Sequence, residues 1–216
     1  MPTVKIDGTA PLTTASVAAL VDVCDQVEDR PGTGPVIVRT AGSPGPDWTA
    51  GLDVALVTKW ERALRRLERL PAPTVAVASG DTGGPALDAF LAADVRLATP
   101  DTRLLVVTDG EATWPGMAAY RLVQQLGTAR ARRAVLFGAP VPAEDALDLG
   151  LLDEVTDDPD TVLTDLTRLA ARLTGKEFAI RRQLLFDAAT TAFEDALGSH
   201  LAACDRALRR TTADAP

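Results

Sequence analysis

Apolar positions in this chain fall into short β-branched runs separated by stretches at helical spacing. Residues 3–6, 35–40, 74–78, 95–98, 103–107 and 151–155 read as strands. Between the first two, Val17, Leu20, Val21 and Val23/Cys24 share one side of a helix ending near Asp29, with Thr13 or Thr14 as its cap. Further helices are predicted at about 58–70, from Pro85 through Leu87, Phe90 and Leu91, and at 114–125, 129–138 and 142–149. Strands alternating with helices argue for an α/β domain. After residue 157 only helical periodicity is left. Leu163, Leu166 and Leu169 form one stripe, and Phe193, Leu197, Leu201, Cys204 and Leu208 form another. The reading divides the chain into a core domain, 1–157, and a C-terminal helical region, 158–216. One small sheet cannot cover so many apolar faces, so the last helices are expected to pack on another subunit.

The chain is organised around residues 70–98. Pro71 and Pro73 stop a helix, and a buried strand follows at 74–78. Ser79-Gly80-Asp81-Thr82-Gly83-Gly84 reads as a turn, with Pro85 in the first helical turn, where a missing N–H costs nothing. A Gly-rich turn from strand to helix aims backbone N–H groups at a cleft that suits phosphates or oxyanions. A plain tight turn has the same appearance.

Composition narrows the partners. The net charge is −8 with no basic stripe, which argues against nucleic acid and against an anionic membrane surface. No h-region follows Met1 and no apolar run reaches spanning length, so a cytoplasmic protein is expected. Cys24 and Cys204 lie in helical patterns and read as core thiols of a reducing compartment. His200 is the single histidine, so no metal site or catalytic triad can be built around it.

Three stretches, taken together, carry a resemblance. They are Trp48-Thr49-Ala50-Gly51-Leu52-Asp53-Val54, the turn and helix from Ser79 to Asp94, and Trp114 to Gly127 followed by residues 139–155, APVPAEDALDLGLLDEV. Their order and spacing resemble the crotonase superfamily, the enoyl-CoA hydratase/isomerase group. The resemblance implies a crotonase-like spiral of ββα units ending in an oligomerising helical region, and a homotrimer or a hexamer built as a dimer of trimers. It also implies an acyl-CoA thioester as substrate, with coenzyme A entering as part of it rather than as a resident cofactor. Within the family the chain looks most like the short, divergent member of dihydroxyphenylglycine clusters. That member works beside a type III polyketide synthase that makes 3,5-dihydroxyphenylacetyl-CoA. A crotonase homologue is a further candidate partner.

The family stabilises a thioester enolate with two backbone N–H groups. The resemblance assigns one to Leu52. The other falls on Pro85, which has no N–H, so Gly84 or Ala86 would have to serve after a one-residue shift. Of the two proton-transferring glutamates of family hydratases, one matches Asp88 and the other Thr108, which is no base at neutral pH. Asp109 and Glu111 are candidate substitutes; as a plain sequence they read equally as a solvated acidic loop. Ala50 and Arg182 match positions that contact coenzyme A, though Arg181 and Arg182 also fit a solvated helix face. Trp114 and Tyr120 could line an acyl pocket or belong to the core. Two readings stay open: an acyl-CoA hydratase, dehydratase or isomerase with weak intrinsic activity, and a degenerate crotonase-fold helper that binds without chemistry.

Overall fold

The computed structural model describes residues 1–30, 32, 34–170 and 175–213. The predicted turn at 30–34 and the tail at 210–216 lie partly outside the described residues. The elements run in the order β1 (Thr3–Asp7), α1 (Thr14–Asp29), β2 (Val36–Gly42), α2 (Val54–Leu67), β3 (Thr74–Gly83), α3 (Pro85–Leu91), β4 (Val95–Ala98) and β5 (Arg103–Leu105). Then come α4 (Met117–Leu126), α5 (Thr128–Phe137), β6 (Val141–Pro142), α6 (Ala143–Asp148), β7 (Glu154–Val155), α7 (Pro159–Ala170), α8 (Lys176–Ala188) and α9 (Phe193–Ala213). The sheet has the order β1-β2-β3-β4-β7, all parallel, and β5 joins β3 in parallel while β6 pairs β5 antiparallel.

Strand alternation decides how the sheet is covered. Val36, Val38, Ala76, Ala78 and Ala98 face the main core with α1, α2 and α3. Their neighbours Ile37, Val75, Val77 and Leu97 face the other side, where Leu163 of α7 covers them. Thr13 caps α1 by accepting the Ser16 N–H at 3.2 Å. Cys24 is buried, and burial pushes its thiol up to about 11, so it is an inert core group.

Several boundaries differ from the sequence reading. The segment 79–83 is strand, not turn. β3 pairs with β4 over 75–78 and then with β5 over 81–83. Gly80, at φ +61°, absorbs the irregularity between the two halves, where the register with β2 jumps from Ala41–Ser79 to Gly42–Thr82. A bidentate ion pair from Arg103 to Asp81, at 2.7 and 2.8 Å, spans the second half. Helix α2 begins at Val54 rather than 58, because Asp53 caps it by accepting the Leu56 N–H at 2.6 Å. The last strand is shorter than 151–155, since Leu151 and Leu152 end α6 by donating to the Ala146 carbonyl. In the single chain Cys204 is exposed, as are Phe193, Leu197, Leu201 and Leu208, and Leu169 is 67 % exposed. They are therefore not core of this subunit. No helix among the described residues is long and apolar enough to cross a membrane.

Candidate active site

The Trp48 to Val54 segment enters α2 through a tight turn in which the Leu52 N–H donates to Thr49 O at 3.0 Å. The expected oxyanion donor is thus engaged within its own loop. Ala50 is exposed on that loop. Trp48 anchors the segment: its indole N–H donates to the Thr108 carbonyl at 2.9 Å, and its ring meets Trp114 edge-on with centroids 5.1 Å apart.

At the second donor position Gly84 adopts φ +53°, a conformation that suits glycine, and leads directly into Pro85 at the start of α3. A Cβ on Gly84 would stand 2.9 Å from Pro44 Cγ, and one on Gly83 would stand 2.4 Å from Ser43 Oγ. Residues 43–44 therefore lie directly against the junction of β3 and α3, and the glycines are what allow them that close.

Asp88 stands in the first turn of α3. Trp60 of α2 donates its indole N–H to Asp88 Oδ2 at 3.3 Å. Enclosure by protein, then the charge of Glu61, push the Asp88 carboxyl up to about 7, against Arg121, the Trp60 indole and the Ala118 N–H. Arg121 of α4 is buried and clamps two acids, Glu61 in α2 and Glu68 at the C-cap of that helix: its Nη2 donates to Glu61 at 2.9 Å and its Nε to Glu68 at 2.8 Å. Its Nη1 has no acceptor among the described residues. Burial raises the Glu61 pKa, and Arg121 opposes the shift. Beside this cluster a cleft of about 540 Å³ opens between α2 and α4, lined by Glu61, Arg62, Arg65, Met117, Tyr120 and Arg121. Tyr120, at 54 % exposure, is cleft wall rather than core.

The remaining expected residues lie elsewhere. Asp109 and Glu111 sit at the exposed tip of a small loop closed by Thr108–Thr113 pairing, and the Asp109 carboxylate accepts the Ala112 N–H at 3.3 Å. The structure does not bring them to the Asp88 cluster. Arg182 is neither a surface residue nor turned to a ligand. It is 6 % exposed and donates to the carbonyls of Leu70 and Ala72, each at 2.6 Å, and to Asp94, with Phe178 under its guanidinium at 4.5 Å. Those contacts tie α8 to the turn before β3, so the phosphate role is corrected to a structural one. Arg181 is an exposed partner of Glu177. Sequence reasoning missed Glu61, Glu68, Trp60 and Arg121. The legible signal was Glu61 and Glu68, one heptad apart and so on one helix face, but Arg121 lies 60 positions away from Glu61.

The model of the enoyl-CoA hydratase/isomerase family matches residues 47–215. An enoyl-CoA hydratase of Amycolatopsis orientalis is 56 % identical over 206 residues, covering 95 % of each chain. Among solved structures, an enoyl-CoA hydratase of Mycobacterium smegmatis superposes with a TM-score of 0.81 at 19 % identity, over 95 % of this chain and 87 % of that one. An enoyl-CoA hydratase/isomerase of Marinobacter aquaeolei gives 0.79 at 18 % identity, over 96 % and 88 %. At such identities the structures speak for the fold, the crotonase-like α/β spiral with C-terminal helices. The family match and the close relative speak for descent, and this chain belongs to the enoyl-CoA hydratase/isomerase family.

Proposed function

We propose that the protein acts on an acyl-CoA thioester of polyketide origin, with Asp88 moving a proton during enolate formation or loss of water. The observation that carries this reading is the place of Asp88, half-buried in the first turn of α3 against the Trp60 indole, with its carboxyl pushed up to about 7. A group that titrates near the working pH can both give and take a proton. Coenzyme A comes and goes with the substrate. The setting is the formation of 3,5-dihydroxyphenylacetyl-CoA alongside a type III polyketide synthase, in a homotrimer or hexamer whose contacts use the apolar faces of α8 and α9. Leu185, Phe186, Phe193 and Leu201 support the assembly, since all are exposed in the single chain.

A second reading is supported by the donor positions. Pro85 has no N–H, Leu52 spends its own on Thr49, and Thr108 offers no carboxylate. On that reading the chain is a helper that binds the synthase or a crotonase homologue without chemistry. Exchange of the α-hydrogens of phenylacetyl-CoA in heavy water, followed by mass spectrometry, separates the two. The enzyme reading expects exchange above the buffer rate that is lost in Asp88→Asn and kept in Asp109→Asn/Glu111→Gln. Exchange at the buffer rate with the wild-type protein supports the helper.

A further inference from the structure

We propose that the cleft between α2 and α4 binds a carboxylate carried on an aromatic body, with Arg62 holding the anion and Tyr120 meeting the ring. Asp88 does not line this cleft, so the site stands apart from the proton-transfer reading. Two helix faces build it. On α2 and its C-cap, Glu61, Arg65 and Glu68 lie four and three residues apart, and Arg62 lies three before Arg65, so all four share a face. Tyr120 and Arg121 of α4 stand three and four residues after Met117 and share another. Ion pairs from Arg121 to Glu61 and Glu68 bridge the two faces. The space they border is about 540 Å³, within the range of small-molecule pockets.

Donors and acceptors along the cleft do not balance. Glu68 is spent: its Oε1 accepts from Arg121 Nε and its Oε2 from Arg65 Nη1, each at 2.8 Å. Glu61 Oε2 accepts from Arg121 Nη2 at 2.9 Å. Arg62, by contrast, is exposed and has no hydrogen-bond or ion-pair partner among the described residues, so its whole guanidinium fork is open. Arg121, though buried, also keeps an Nη1 without an acceptor among them. The lining thus sets three guanidinium groups, Arg62, Arg65 and Arg121, against the two carboxylates of Glu61 and Glu68, in a chain whose net charge is −8. A carboxylate supplies the missing acceptor, and its two oxygens match the planar fork of Arg62. The apolar part of the lining sets the body of the ligand. Tyr120 is 54 % and Met117 40 % exposed, with Val57 beside them. An aromatic ring packs on tyrosine and against a thioether. A bare inorganic anion leaves that wall uncovered, and a neutral ring leaves Arg62 unpaired.

Calorimetric titration with phenylacetate at low salt tests the site. A Kd of about 1 mM or tighter is expected for a ligand of this size. Phenylacetamide, which keeps the shape without the charge, should bind at least about fivefold more weakly, and acetate, which lacks the ring, likewise. Arg62→Gln and Tyr120→Ala change exposed side chains and should each weaken phenylacetate binding about fivefold. Arg133→Gln, at an exposed arginine of α5 outside the cleft, should stay within about twofold of wild type. Asp88→Asn should keep the wild-type affinity. Equal binding of phenylacetamide and phenylacetate, or undiminished binding by Arg62→Gln, overturns the inference. So does the absence of binding at about 20 mM, well beyond the expected Kd. Loss of binding in Asp88→Asn would move the anion to Asp88 and overturn a separate site. None of these results bears on α-hydrogen exchange, so the reading of Asp88 stands or falls on its own experiment.

Discussion

The indole N–H of Trp60 meets Asp88 Oδ2 at 3.3 Å, joining the middle of α2 to the first turn of α3. That donor, together with Arg121 and the Ala118 N–H, does not offset the enclosure of the carboxyl and the nearby Glu61 charge, and Asp88 is pushed up to about 7.

Stability should therefore depend on pH through Asp88. A carboxyl whose folded pKa, about 7, exceeds its ordinary value of 3.8 stabilises the fold when protonated. The contribution is full below the ordinary value and is lost as pH rises through the folded one. Asp88→Asn keeps a neutral side chain throughout. Relative to wild type it should gain on the order of 2–3 kcal/mol between about pH 5 and about pH 8. Urea unfolding at the two pH values measures the difference. An Asp88→Asn variant less stable at the higher pH would contradict the assigned environment.

Arg182→Ala should cost about 3 kcal/mol or more, because it takes the cation from the partly buried Asp94, leaving only the Thr74 donors on it, and strands the carbonyls of Leu70 and Ala72. Arg182→Lys should also destabilise, since one ammonium cannot reproduce the fork that reaches both Leu70 O and Ala72 O. Thermal unfolding reads both. Unchanged stability with weakened coenzyme A binding would return Arg182 to the phosphate.

These two residues show where the sequence was legible. Asp88 could be located because its chemistry is local: an acid three residues past Pro85 sits in the first turn of a helix whatever else happens. Arg182 could not be interpreted, because its burial depends on carbonyls more than a hundred positions away. Residues 79–83 misled for another reason. Ser-Gly-Asp-Thr-Gly has the composition of a turn, yet a single left-handed Gly80 and the Arg103–Asp81 pair keep it extended. Asp109 and Glu111 were near the right place in sequence, but pairing of Thr108 with Thr113 turns the loop back before they reach the cleft.

Crotonyl-CoA hydration should be slow, below about one turnover per second, against a typical enzyme range of about 1–10³ per second. Pro85→Gly restores an N–H at the missing donor position and should raise the rate at least about tenfold, a fraction of what such a donor is worth. Steady-state absorbance at the enoyl thioester band measures it. Ordinary hydratase turnover in wild type would show that Pro85 does not occupy the donor position.

The exposed stripe of α9 should mediate assembly. Sedimentation velocity at micromolar concentration should show trimers or hexamers, and Leu201→Glu, at a position 58 % exposed in the single chain, should shift them toward monomer. A wild-type protein that sediments only as monomer would contradict the assembly.

The most direct measurement adds the protein to a malonyl-CoA-consuming type III polyketide synthase and quantifies 3,5-dihydroxyphenylacetyl-CoA. The account predicts that wild type raises the output and that folded, correctly assembled Asp88→Asn does not. Equal enhancement by wild type and Asp88→Asn would contradict proton transfer at Asp88 and leave a binding role in its place.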